Sequence, residues 1–283
     1  LKVAICVRTK DYGRFLPEWI AFHYAAGVDK ITVYDDDSVD NTEEILRPFV
    51  EAGIVQYIPT TIASRSKQMG PLNDCLDAHL EERRRVGGSN SPRWLLFHDT
   101  DEYMFPEDTN LTVHQALEHD EAICCVLIPR VQYGSAGHDE MPRGLILEEF
   151  LFHGTKTQNP KVFSTPFQVV VNLGPSMPEL GTIDPPLKSM HNAQGCECHR
   201  PSIRGSKLRL NHYLGSVGDY MDRTKRYWKD KIMGDMSPEK TVLRRDTNGF
   251  RSDKILHWAC ATREVLYRIV EGLDLDSVTP GPE

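Results

Sequence analysis

The sequence predicts an α/β protein with a mostly parallel sheet and helices on both faces. Three observations predict it. Short apolar segments of strand length recur through the first hundred residues. Stretches with helical spacing of apolar residues separate them. Each apolar segment also runs into polar or acidic residues at its carboxyl end, the edge of an open α/β sheet where ligands bind. A chain of 283 residues, 40% hydrophobic and 26% charged, is long for one ordinary domain and short for two, so a single elaborated domain over residues 1–283 is expected.

The first strand is expected at residues 3–7, an apolar run from Val3 to Val7. Residues 15–26 follow with Phe15, Trp19, Phe22 and His23 at helical spacing, and Gly27 supplies the helix-ending residue. Residues 31–34 form a second strand. Asn41 or Thr42 caps a helix that runs to about residue 52, and Gly53 stops it. A third strand is expected at 54–58, a long helix at 66–85, a Gly- and Ser-rich loop at 87–92 and a fourth strand at 94–97. Residues 8–11, 35–38 and 98–102 should therefore converge on one cleft. The second half is less regular: a strand at 123–130, a loop over 132–142, a Pro- and Gly-rich stretch over 163–186, helices near 218–231 and 257–272, and a frayed tail after Asp276.

A formal net charge of -8 argues against a broad nucleic-acid footprint, which needs a surplus of Lys and Arg on one face. No stretch approaches the roughly 20 consecutive apolar residues that span a bilayer. Because the chain starts at Leu1 and enters a strand at once, any membrane anchor or address is expected in a segment upstream of it. Seven cysteines are an odd number and leave the compartment open. Cys196 and Cys198 are too close together for usual zinc-knuckle spacing.

The sharpest chemical signal is His98-Asp99-Thr100-Asp101-Glu102-Tyr103, at the exit of an apolar strand. Two carboxylates two residues apart in an extended segment project to the same side, so Asp99 and Asp101 can share one hard cation, Mn²⁺ or Mg²⁺. Such an ion takes its remaining ligands from substrate phosphates. A second constellation is Asp35-Asp36-Asp37-Ser38, where three successive carboxylates exceed what a turn requires, so at least one is expected to meet a ligand. Asp40 and Asn41 are expected to act as helix caps.

The run Asp35-Asp36-Asp37-Ser38-Val39-Asp40-Asn41-Thr42-Glu43-Glu44-Ile45-Leu46 resembles the segment after the second strand of family 2-type glycosyltransferases with the GT-A (Rossmann-like) fold. Residues 15–24 with Gly27-Val28, the Asp99–Tyr103 run, residues 133–138, residues 144–150 and Leu210-Asn211-His212-Tyr213 look like glycosyltransferase family 92, in that family's order. The resemblance implies an inverting transfer from a nucleotide sugar, usually a UDP-sugar, to a glycan or glycoprotein acceptor, with Mn²⁺ or Mg²⁺. Residues 1–103 would then be the donor-binding half and 104–283 the acceptor-binding half. Arg8 and Lys10 would line the nucleotide, Asp36 would contact uridine, and Gln68 and Asn73 would face the donor. Asp99 and Asp101 match the metal motif, and His212 matches a late histidine that completes the metal site, an imidazole favouring Mn²⁺. Lys207 or Arg209 would assist the leaving diphosphate. For the base that deprotonates the acceptor, Asp139 and Glu140 come first, with Glu148 and Asp184 as rivals. The expected location is the Golgi lumen, behind an anchor outside this chain, if the source is eukaryotic, and the cytoplasm otherwise.

Two other classes compete. A nucleotidyltransferase needs a Gly-rich basic loop after the first strand, and Arg8–Arg14 is basic but not Gly-rich. A catalytically inactive carbohydrate-binding domain would not need the Asp99 and Asp101 pair.

Overall fold

The computed structural model describes residues 3–60, 69–87, 91–118, 125–154, 167–172, 203–204, 207–229 and 237–270. Gln68, Asp184, Cys196, Cys198 and the tail after residue 276 lie outside the described residues.

The four expected strands are present as β1 (Val3–Thr9), β2 (Lys30–Asp36), β3 (Val55–Thr60) and β4 (Trp94–His98). They lie parallel in the order β3-β2-β1-β4, with Val7 opposite Val33 and His98. The intervening helices are α1 (Leu16–Ala25), α2 (Thr42–Glu51) and α3 (Met69–Val86). Beyond β4 the sheet turns antiparallel: β8 (Phe167–Asn172) pairs with β4 on one side and β6 (Cys125–Tyr133) on the other. A branch of the same sheet joins β5 (Glu102–Pro106) antiparallel to β10 (Leu208–Tyr213), which runs parallel to β6. Three further short strands, β7 (Phe152–His153), β9 (Ile203–Arg204) and β11 (Phe250–Arg251), extend the edges. The remaining helices are α4 (Val113–Ala116), α5 (Ile146–Glu149), α6 (Val217–Lys229), α7 (Pro238–Arg245) and α8 (Ala259–Ile269).

Helices cover both faces of the parallel sheet, and the period of two along β1 shows how. Val3, Ile5 and Val7 enter one buried cluster with Leu16, Trp19, Ile20 and Phe22 of α1 and with Leu266 of α8. Cys6 points the other way, to α3, where it forms a disulfide with Cys75 across a Cα–Cα distance of 6.4 Å. Gly27 ends α1 with a φ of +100°, and a Cβ there would approach Thr112 Cβ to 2.9 Å. The absence of a side chain thus permits both the left-handed turn and the docking of α4, whose Val113 N–H donates to the Ala26 carbonyl at 2.8 Å.

Two local expectations are corrected. Residues 99–102 are not an extended continuation of β4: the Glu102 N–H donates to the Asp99 carbonyl at 3.1 Å and the chain turns there before β5. Asn41 occupies the N-cap of α2 without a side-chain bond, whereas Asp40 accepts from the Thr42 N–H at 3.1 Å and the Gly13 N–H at 2.9 Å. The Asp40 carboxylate, with one oxygen on each amide, ties the β1 exit to α2.

Candidate active site

The exits of β1 and β2 are laced together. Arg8 forms an ion pair with buried Asp36, and Lys10 Nζ donates to the carbonyls of Asp36 and Asp37 at 2.7 and 3.1 Å. The Asp11 N–H donates to Ser38 Oγ at 2.8 Å, and the Val39 N–H donates to Asp11 Oδ1 at 2.8 Å. Asp11 and Asp37 both take positive φ, at 50° and 55°, a conformation that short acidic side chains tolerate better than most. The acidic run separates by role. Asp35 accepts from the Ser38 N–H at 3.2 Å and from Tyr57 OH at 2.7 Å, Asp36 is held by Arg8, and Asp37 is exposed.

The turn after β4 is built from beneath by Glu102, whose side chain is fully buried. Its carboxylate accepts from Arg130 Nη1 at 3.0 Å and from the Asp99 N–H at 3.2 Å, and lies 3.6 Å from His98 Nδ1. Burial alone would push this carboxyl up, but His98 and Arg130 pull it below the usual range, so it stays ionised. Helix α1 clamps the same turn. Trp19 Nε1 donates to the Glu102 carbonyl at 2.7 Å, and the Met104 N–H donates to His23 Nε2 at 3.2 Å. His23 Nδ1 sits 2.8 Å from the Trp19 carbonyl, which fixes the proton on Nδ1.

Asp101 then meets residues from two later elements. Its Oδ2 lies 3.4 Å from His212 Nε2 and accepts from Arg223 Nη1 at 2.7 Å. Its Oδ1 is buried with no hydrogen-bond partner among the described residues. Burial pushes the Asp101 carboxyl up, and the His212 imidazole and Arg223 guanidinium outweigh it and hold it well below the ordinary range. His212 is oriented by Gln132 next to it on β6. The Gln132 amide nitrogen donates to the carbonyls of Tyr133 and His212, both at 3.1 Å, so Gln132 Oε1 is the acceptor facing His212 Nδ1 at 2.8 Å. Nδ1 therefore carries a proton, and Nε2 faces Asp101 Oδ2 across 3.4 Å. A proton or a cation has to lie between them. The donor set, one buried carboxylate oxygen without a partner and one imidazole nitrogen oriented by a neighbour, fits a divalent ion of the Mn²⁺ or Mg²⁺ kind.

The other expected site residues are placed as follows. Asp99 stands at the start of the turn, partly exposed, and Asn73 lies on α3, half-buried. Asp139 and Glu140 are exposed, in a loop whose His138 and Asp139 carbonyls accept from the Val217 and Gly218 N–H groups at 2.9 Å each, which brings the loop to the start of α6. Glu148 pairs with Arg263. Arg209 does not serve the Asp101 side: alternation along β10 puts it with Asn211 and Tyr213 on the face opposite His212, where it donates to Tyr133 OH at 2.8 Å and Asn211 Oδ1 at 3.0 Å. Lys207 is exposed, one residue before β10. The guanidinium at Asp101 is Arg223. Neither it nor Gln132, Arg130 and Trp19 was expected at the site; the only sequence signal was a basic residue ten positions after Tyr213 on a helix.

The exits of β1, β2 and β4 and this cluster stand at the carboxyl edge of one parallel sheet. Residues 2–122 match the model of glycosyltransferase family 92. Two curated proteins of that family resemble the chain, one from Ricinus communis at 25% identity over 120 residues and one from Oryza sativa subsp. japonica at 29% over 112 residues. These alignments cover 42% and 38% of this chain and 19% and 17% of the two plant proteins, so the chain spans about a fifth of the length of the relatives it matches. Among solved structures, Staphylococcus aureus TarS 1–349 is similar at 14% identity with a TM-score of 0.44, covering 99% of this chain and 83% of that one. Glucosyl-3-phosphoglycerate synthase from Mycobacterium tuberculosis is similar at 15% identity with a TM-score of 0.32, covering 61% and 57%.

Proposed function

We propose that this chain is a glycosyltransferase that moves a sugar from a nucleotide-sugar donor, a UDP-sugar, to a hydroxyl of a glycan or glycoprotein, with inversion at the anomeric carbon. The observation that carries the reading is His212 Nε2 standing 3.4 Å from Asp101 Oδ2, with Asp101 Oδ1 left without a partner among the described residues, at the carboxyl edge of the parallel sheet. The family match over residues 2–122 supports the class. Arg8, Lys10 and Asp36 would line the nucleotide end, with Asn73 towards the donor. Asp99, Asp101 and His212 would hold Mn²⁺ or Mg²⁺, which acts as a Lewis acid on the leaving diphosphate. Glu102 and Trp19 keep the acidic turn in place, and Gln132 keeps His212 in the required tautomer. Asp139 or Glu140, exposed beside the start of α6, accepts the proton of the acceptor hydroxyl. Among the described residues no helix is long and apolar enough to cross a membrane; a Golgi-lumen location belongs to this proposal.

The test is a panel of UDP- and GDP-sugars incubated with Mn²⁺, with release of free nucleotide followed for the wild type and for Asp101→Ala. Slow hydrolysis of one donor that disappears in the variant and with chelator is expected. If no donor is turned over and no metal-dependent nucleotide binding is seen by calorimetry, the reading fails.

A further inference from the structure

We infer that Arg223 is the resident counter-cation of Asp101, a positioning residue that holds the carboxylate when no divalent ion is bound and must give up Oδ2 for the ion to enter. The inference rests on the proposed metal reading of the site and adds an order to it: the ion binds weakly by itself and strongly together with a nucleotide diphosphate.

The guanidinium is fastened on several sides. Nη1 donates to Asp101 Oδ2 at 2.7 Å, and Nη2 donates to the Leu214 carbonyl. Its central carbon lies 5.3 Å from the Tyr220 ring centroid and 5.8 Å from that of Tyr12. Tyr220 is itself packed with Leu214 of the loop before α6 and Val242 of α7, so the helix that carries Arg223 is anchored. The side chain is 13% exposed and that of Asp101 is 14% exposed, so water screens the pair only in part. A doubly charged ion between Asp101 Oδ2 and His212 Nε2 would need the oxygen that this positive charge already holds. Like charges at such distances oppose each other unless an anion lies between them. A diphosphate supplies that anion, with oxygens that can accept from a guanidinium in a forked arrangement. Tyr12 belongs to the β1 exit, the strand end that carries Arg8 and Lys10, so Arg223 stands where the nucleotide end meets the acidic turn. Binding of ion and nucleotide is then coupled, and by linkage each raises the affinity for the other by the same factor.

The experiment uses the whole chain and three probes: Mn²⁺ alone, UDP alone, and both, followed by calorimetry and by the electron paramagnetic resonance of free Mn²⁺. In Arg223→Gln, bare Mn²⁺ is expected to bind about tenfold more tightly than in the wild type, the order of effect for removing one nearby like charge. The factor by which UDP and Mn²⁺ strengthen one another should fall towards one, with Arg223→Lys close to the wild type. Tyr12→Leu, which loosens the guanidinium without touching Asp101, should shift Mn²⁺ affinity the same way by less and keeps the test open if Arg223→Gln does not fold. Unchanged or weaker Mn²⁺ binding in the folded variants overturns the role of Arg223. Asp101→Asn separates the two levels: if it abolishes Mn²⁺ binding while the Arg223 and Tyr12 variants are inert, only the counter-cation inference falls; if Mn²⁺ binding survives it, the metal reading of the site falls too.

Discussion

Gln132 grips His212 at both ends of the residue: its amide nitrogen donates to the His212 carbonyl at 3.1 Å while its Oε1 accepts from Nδ1 at 2.8 Å. The pairing of β10 with β6 sets the two residues side by side, so the grip follows from strand register. Gln132→Leu should leave the fold intact, weaken Mn²⁺ binding by about 10- to 100-fold and lower kcat/KM in step, as loss of the partner that orients a ligand histidine does. A Mn²⁺ titration beside a thermal melt checks it; a variant that melts at the wild-type temperature and binds Mn²⁺ equally well would show that the grip is only structural.

Trp19 holds the acidic turn from α1. Trp19→Phe keeps most of the packing and removes the bond from Nε1 to the Glu102 carbonyl, leaving a buried acceptor with one partner fewer. The expected loss is about 1–3 kcal/mol of unfolding free energy in urea, with a fall in donor hydrolysis larger than the fall in stability accounts for.

Glu18 gives the stability a pH dependence. Both its oxygens accept from backbone N–H groups at the start of α5, from Ile146 at 2.8 Å and Leu147 at 3.0 Å, inside the protein. Burial pushes the carboxyl up to about 8, against the pull of those two bonds. With the folded value above the unfolded one, the folded state holds the proton longer. The contribution is complete below the ordinary carboxyl range and is lost as pH rises towards 8. Denaturant midpoints of the wild type should therefore decline between about pH 5 and pH 8 relative to those of Glu18→Gln, which has no proton to lose there. Parallel pH profiles for the two proteins would contradict it.

Cys6 and Cys75 tie β1 to α3 across 69 residues of sequence. A loop of that length restricts the unfolded chain enough for a loss of about 4 kcal/mol when it is opened. Replacing both cysteines by Ala should lower stability by that order, and a reducing agent should lower the midpoint of the wild type but not of the double variant. The exposed thiol of Cys260 should react with a thiol reagent before denaturation.

The parallel half of the fold was legible because each of its strands carries a cluster of apolar residues and its helices show their period within a window of a dozen residues. Asp99 and Asp101 were legible for the same reason, as carboxylates delivered at the end of such a run. The strands β5, β8 and β10 were not, since they pair with segments distant in sequence. Strand parity, not composition, takes Arg209 away from Asp101 and leaves His212 facing it. Arg223 reads in the sequence as one more charge on an amphipathic helix, and nothing local says that a carboxylate 122 positions earlier receives it. The sequence by itself determined which segments become strands and helices and where polar residues leave the sheet, because those properties depend on neighbours within a few residues. Only the tertiary structure decided the partners of Asp101, the tautomer of His212 and the burial of Glu102. Distances, desolvation and hydrogen-bond completion between side chains exist only once β4, β6, β10 and α6 have met.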